Sequence, residues 1–327
     1  DFIVTLPVWA ALRREYPDAE LGALVPADRG ELGYSAGVFE HWRCLDDLEW
    51  ASFFTEGGEL SEETAEWLSG FDAIVSYLHD SSGIWETNVK RVWRGEWLVG
   101  PGLPPDNDNR SVSKILLEPL TAWGIEGANS VPWLVLPDQA DSLYALGVHP
   151  GSGSPAKNWP EPSWEQFLQH FLAMKCGELL MIGGEAEQDR LSWIESMVRG
   201  CGEIYFGKSL LETACVLRQC RMFVGHDSGI THLAAALGVP CVVLWGETNR
   251  NIWQPPQNHV TLIRGGKGLK RISVDAVLAA VSCARSRSEV CTSVVVTPFP
   301  ATKRGTESRG VVVVLYWSSG GSTSSKM

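Results

Sequence analysis

Short apolar runs alternate along the chain with stretches of helical spacing. Residues 19–25, 71–77, 144–150, 177–182, 203–206, 220–224 and 241–245 have the length and apolarity of interior strands. Helical spacing falls at 7–16, 48–54, 61–68, 164–174, 186–198, 210–218 and 272–284, with 30–39 readable as helix or loop. Residues 113–123 read as an amphipathic helix interrupted near Pro119, after a polar loop at 101–111. Strands alternating with helices of this length imply parallel sheets covered on both faces. Residues 124–143 carry Gly, Pro and Asp and read as a link. Two α/β domains are therefore expected, 1–135 and 136–284. In the first, a helix stopped by Pro17 runs into the strand at 19–25, which leaves a β-α-β unit without its opening strand. That strand is expected ahead of Asp1, with residues missing from the N-terminus, so that Asp1 would sit at a strand's C-terminal end, where such sheets put their chemistry.

The richest stretch runs from Val224 to Pro240. A buried strand ends in Gly225-His226-Asp227-Ser228-Gly229, and Asp227 and Ser228 are good N-cap residues for a helix starting near Gly229. Leu233, Ala234 and Leu237 recur at helical spacing, Gly238 stops the helix and Pro240 prevents its continuation. Free N–H groups and the positive end of the helix dipole make such a turn a natural anion site, although an ordinary capped turn has the same residues. His232, one turn into the helix, can face a ligand or pack in the core.

After the strand at 144–150 comes Gly151-Ser152-Gly153-Ser154 with Lys157. Small residues there permit close backbone approach, hydroxyls and amides can bond phosphate oxygens, and Lys157 adds a point charge. A Gly/Ser turn with a solvated lysine is the plain alternative. Asp1 is a candidate general base. Glu185 and Glu187, following Gly183-Gly184, can accept bonds from a ribose or stand as exposed carboxylates at a helix start.

Composition narrows the classes. Hydrophobic residues make up 44% and charged ones 20%, as in a globular protein. The net charge of −12 argues against a nucleic-acid binder with a broad basic surface. Eight scattered cysteines without a CxxC pair read as buried free thiols in a reducing compartment. No apolar run approaches the roughly 18 residues of a membrane span. Residues 285–327 shift to Ser, Thr, Gly and Arg, with six basic and two acidic residues, net +4, leaving −16 for 1–284. This tail reads as low-complexity, unstructured or non-native, and without function. Its apolar run at 311–315 would be aggregation-prone if exposed. H-E-x-x-H, a Walker motif and a strand-borne G-x-G-x-x-G are all lacking, which disfavours a zincin, a P-loop enzyme and a Rossmann dehydrogenase.

Three segments in order carry a resemblance over about residues 1–284. Gly225 to Pro240 resembles the G-x-D-S-G-x-x-H-L-A-A-A-L-G-x-P pattern of glycosyltransferase family 9, the ADP-heptose:lipopolysaccharide heptosyltransferases and relatives. His149 to Gly153 with Lys157-Asn158-Trp159-Pro160 is similar to that family's G-S/A…K-x-W-P, and Asp1 to Pro17 to its G-D-x5-P-x4-L-R-x3-P with the glycine absent. The resemblance implies a GT-B fold, two facing Rossmann-like domains with the acceptor held by the first and the nucleotide sugar by the second. It implies inverting transfer of heptose or a related sugar from a nucleotide-diphosphate sugar to a lipopolysaccharide-type or other glycan acceptor, with no metal or other cofactor. Ser152, Gly153, Lys157, Asp227, Ser228, Gly229 and His232 would hold the diphosphate, Glu185 and Glu187 the nucleoside, and Asp1 would be the base. The implied location is the cytoplasm, with peripheral contact at the inner face of the membrane. A nucleotide-sugar epimerase, or a catalytically degenerate binding protein on the same fold, is the alternative. Residues 28–110, rich in Trp, show no family motif.

Overall fold

Apolar runs rich in valine, leucine and isoleucine form most of the central strands, because their branched side chains suit a pleated surface buried on both faces. The computed structural model describes residues 2–105, 107–137, 141–152, 157–198, 200–266, 268–288 and 310–315. The strands are β1 (Glu20–Val25), β2 (His41–Cys44), β3 (Ala73–Ser76), β4 (Glu96–Val99), β5 (Tyr144–Val148), β6 (Glu178–Gly183), β7 (Gly202–Phe206), β8 (Phe223–His226), β9 (Cys241–Trp245), β10 (Val260–Arg264) and β11 (Gly310–Val314). They form two parallel sheets, ordered β2-β1-β11-β3-β4 and β10-β9-β8-β5-β6-β7.

The first sheet corrects the reading of the C-terminal tail. Its central strand is β11, in register with β1 through Leu21–Val311 and Ala23–Val313 and with β3 through Val311–Ala73 and Val313–Val75. The slot reserved for a strand ahead of Asp1 is thus held by residues 310–314, and the apolar run is not an exposed hazard. Val311 and Val313 pack into one apolar cluster with Val8, Trp9 and Leu12; Val312 and Val314 pack on the other face with Trp50, Phe53 and Trp85. A strand covered on both faces needs an unbroken apolar run, which is what four consecutive valines supply. Trp50 and Trp85 are almost wholly buried, so these tryptophans of the motif-free region are core residues.

In the second sheet, β5 lies between β8 and β6, so the chain leaves β5 and β8 in opposite directions across the sheet. Such a switch point opens a crevice at the carboxyl ends of the two strands, the usual ligand position in an open α/β sheet. Side chains from both domains share one apolar cluster. The turn Ile3–Thr5 packs on the helix Gly229–Ala236, and the helix Ala27–Ser35 packs on Leu210–Leu217. Polar ties add to this: the Asn249 amide donates to the Asp108 carbonyl (3.3 Å) and the Asn251 amide to Asn109 Oδ1 (3.2 Å). No helix among the described residues is long and apolar enough to cross a membrane. The seven cysteines among the described residues are free thiols.

Candidate active site

The crevice between β5 and β8 is lined by two loops. From β8, Ser228 caps the helix Gly229–Ala236 in extended backbone, its Oγ accepting the Thr231 N–H at 3.4 Å. Gly229 is exposed at the first helical position, at the helix end where the first N–H groups lack intrahelical partners and the dipole is positive. From β5, the loop returns at Lys157, whose Nζ lies 3.0 Å from Asp227 Oδ2. Lys157 and the Asp227–Gly229 turn are 70 residues apart in sequence yet meet here. Ser152 is buried and its hydroxyl donates to Asn158 Oδ1 at 2.8 Å, which ties the start of the loop to its end.

Three sequence-predicted residues read differently in place. The Asp227 carboxylate is only 10% exposed and is paired with Lys157. His232 is buried, and burial first, against the pull of Asp227 and a bond to the Trp253 carbonyl, lowers its pKa to about 4. It is neutral at physiological pH and adds no positive charge to an anion site. Glu187 is buried, accepts the Gly184 N–H at 2.8 Å and lies 3.6 Å from His149 Nε2. Burial alone would raise its pKa, but the His149 hydrogen bond and charge, the Gly184 N–H and Arg190 together hold it below the usual range. Its carboxylate fills the space where a side chain on Gly151 would sit. Glu187 therefore buttresses the loop from behind and is not open to a ribose. Asp1, Gly153 and the side chain of Glu185 lie outside the described residues.

Two buried histidines at strand ends escaped the sequence reading. His149 follows β5 and lies 3.5 Å from Ser228 Oγ; His226 ends β8 and is wholly buried. A histidine directly before Pro-Gly and another directly before Asp227-Ser228 were the available signal. Burial, as the leading cause, lowers the pKa of His226 to about 3.

These depressed values have a consequence for stability. Between pH 6.5 and 4 the unfolded chain protonates both histidines while the folded one does not. The unfolded state then holds more protons, so stability falls as pH drops through this window. The expected loss by pH 4 is on the order of 3 kcal/mol from His232 alone. Urea midpoints at pH 5 and 7 should differ for the wild type and differ less for His232→Gln; equal midpoints in the wild type would remove the neutral-burial account.

Among the described residues, no three His, Cys, Asp or Glu side chains are grouped to hold a metal ion. Two facing parallel-sheet domains, with an anion-competent crevice at the switch point of the second, define a GT-B architecture. Residues 137–275 match the family model of glycosyltransferase family 9 (heptosyltransferase). Lipooligosaccharide heptosyltransferase 2 of Haemophilus ducreyi is 32% identical over 127 residues, which make up 36% of this chain and 36% of that protein. The chain thus matches little more than a third of that relative's length. In fold it is similar to the family 9 glycosyl transferase of Veillonella parvula, with a TM-score of 0.72, 16% identity, and 87% of this chain and 93% of that one covered. It is also similar to the E. coli heptosyltransferase WaaC with ADP, at a TM-score of 0.65 and 16% identity over 86% of this chain and 95% of that one.

Proposed function

We propose that the protein is an inverting glycosyltransferase. It moves heptose or a related sugar from a nucleotide-diphosphate sugar to a lipopolysaccharide-type or other glycan acceptor, and it needs no metal. The observation that carries this is the meeting of Lys157 with the open N-terminus of the helix Gly229–Ala236 at the β5/β8 switch point. Fixed N–H groups, a helix dipole and a lysine stabilise the charge that grows on a departing nucleoside diphosphate. ADP is the first nucleotide to try, because the similar WaaC structure is described with ADP.

In this reading the Asp1 carboxylate takes the proton of the acceptor hydroxyl. The oxygen attacks the anomeric carbon as the bond to the diphosphate breaks on the opposite face, which inverts the centre. Ser152, Gly153, Lys157, Ser228 and Gly229 hold the diphosphate, with Asp227 aligning Lys157. Glu185 is the candidate for the ribose. His232 serves as a neutral packed residue beside the site. The work is placed on the cytoplasmic side, in peripheral contact with the inner face of the membrane that presents the acceptor.

The test is product analysis by mass spectrometry, with ADP-heptose and other nucleotide sugars supplied with and without a truncated lipopolysaccharide core. Free nucleoside diphosphate is expected only when acceptor is present. Asp1→Asn should retain donor binding and lose turnover by 100-fold or more, on the order of what a general base contributes. Conversion of a nucleotide sugar without acceptor would instead identify an epimerase, and normal turnover of Asp1→Asn would remove Asp1 as the base.

A further inference from the structure

His226 occupies the position that the family pattern G-x-D leaves open, and its ring makes two bonds to one loop. Its Nε2 accepts the Trp159 backbone N–H at 2.8 Å, and its Nδ1 lies 3.1 Å from the Gly151 carbonyl oxygen. A backbone N–H can only donate and a carbonyl can only accept, so the proton must sit on Nδ1 and Nε2 must be bare. The two bonds grip both ends of the stretch between Gly151 and Trp159, which contains Ser152 and Lys157. The ring is further fixed edge-to-face on Trp164, with centroids 5.5 Å apart and planes at 85°. The next residue in the chain, Asp227, holds the lysine of the same loop. One strand end thus sets the loop twice, through the ring of His226 at its stems and through the carboxylate of Asp227 at Lys157.

We propose that His226 is a positioning residue: as a neutral Nδ1–H imidazole it ties Gly151 and Trp159 to the end of β8, and so presets the adjoining Ser152 and Lys157 for the diphosphate. The proposal rests on the donor-binding reading above, and adds to it a residue that touches no substrate. The titratable and charged groups around the ring are His149, Arg190 and Asp227. Burial disfavours the imidazolium, which would also set an N–H against the Trp159 N–H, so the pin holds across the physiological range. Preorganisation of this kind acts on affinity, because a loose loop must be ordered each time the ligand binds.

The expected pattern follows from which bonds each substitution retains. His226→Phe keeps a planar ring but removes both bonds, leaving a buried N–H and a buried C=O unsatisfied. It should raise the Kd for ADP roughly tenfold or more and raise the donor KM with kcat changed only about twofold. Amides of residues 157–159 should exchange faster with deuterium. His226→Gln, whose carboxamide oxygen can still accept from the Trp159 N–H, should recover most of the affinity and protection. Wild-type affinity and wild-type exchange in His226→Phe would overturn the proposal, as would a glutamine variant no better than the phenylalanine one.

The folded wild type supplies an independent measurement that survives misfolding of either variant. Ring 15N shifts of His226 should report a single neutral Nδ1–H tautomer from pH 5 to 8; a titrating ring or an Nε2–H tautomer would overturn the pin. Failure of the wild type to bind ADP, UDP or GDP would count against the donor-site reading and, with it, against the presetting of Lys157. The exchange and tautomer results would then decide the pin alone.

Discussion

Val313→Asp removes the cooperative unfolding of the first domain at neutral pH. Val313 is wholly buried in β11, between Ala23 on one side and Val75 on the other, at the centre of a five-stranded sheet. A carboxylate there has no cation to meet, and burying an unpaired charge costs several kcal/mol even after relaxation. Domain stabilities of roughly 5–15 kcal/mol leave little to spare. Val313→Ala, which removes two methyl groups from the same site, should cost only about 1–3 kcal/mol. Urea denaturation followed by Trp fluorescence checks both, since Trp50 and Trp85 pack on the face opposite Val313's side chain in the same sheet. A wild-type midpoint and slope for Val313→Asp would mean that residues 310–314 are not in the sheet.

Lys157→Ala weakens ADP binding by roughly 10- to 100-fold, the range expected for losing a charge-assisted bond to phosphate. The thermal midpoint without ligand should hardly move. Lys157 is 45% exposed and its pair with Asp227 sits at the surface, where such pairs contribute about 0–1 kcal/mol. Calorimetric titration of ADP into the wild type and the variant separates the two effects. Equal affinities would show that Lys157 does not meet the diphosphate.

The second domain was largely legible from local pattern. The expected strand at 241–245 is β9, and the helix expected near Gly229 runs Gly229–Ala236. The strand at 220–224 lies two to three residues further on, at Phe223–His226, because Cys220 to Met222 form the approach to it. Three strands were not foreseen: β2, β4 and β10. Each is four or five residues long, lies at a sheet edge and mixes polar with apolar positions, so periodicity has little to act on. β11 was invisible for a different reason. Its valines signal a buried strand only once β1 and β3 exist to receive it, and those partners lie more than 200 residues earlier. Composition, which is local, reported instead the Ser- and Gly-rich surroundings.

For the site, residue types and order singled out Lys157 and the Asp227–Gly229 turn, which the fold brings together through the Lys157–Asp227 pair. What pattern could not supply was direction. Whether Glu187 faces outward to a ribose or inward to His149 depends on the packing of Gly151, which has no side chain to occupy that space. His226 likewise becomes informative only when its two nitrogens are traced to Trp159 and Gly151.

A thermal-shift titration of ADP, UDP and GDP into the intact chain puts the nucleoside-diphosphate site to the test most directly. A ligand that binds the folded state at 100 times its Kd adds about 2.7 kcal/mol of stability. The predicted result is a concentration-dependent rise in Tm for at least one of the three, strongly reduced in Lys157→Ala. No rise with any of them, up to millimolar concentration, would contradict the assignment of the β5/β8 crevice as a donor site.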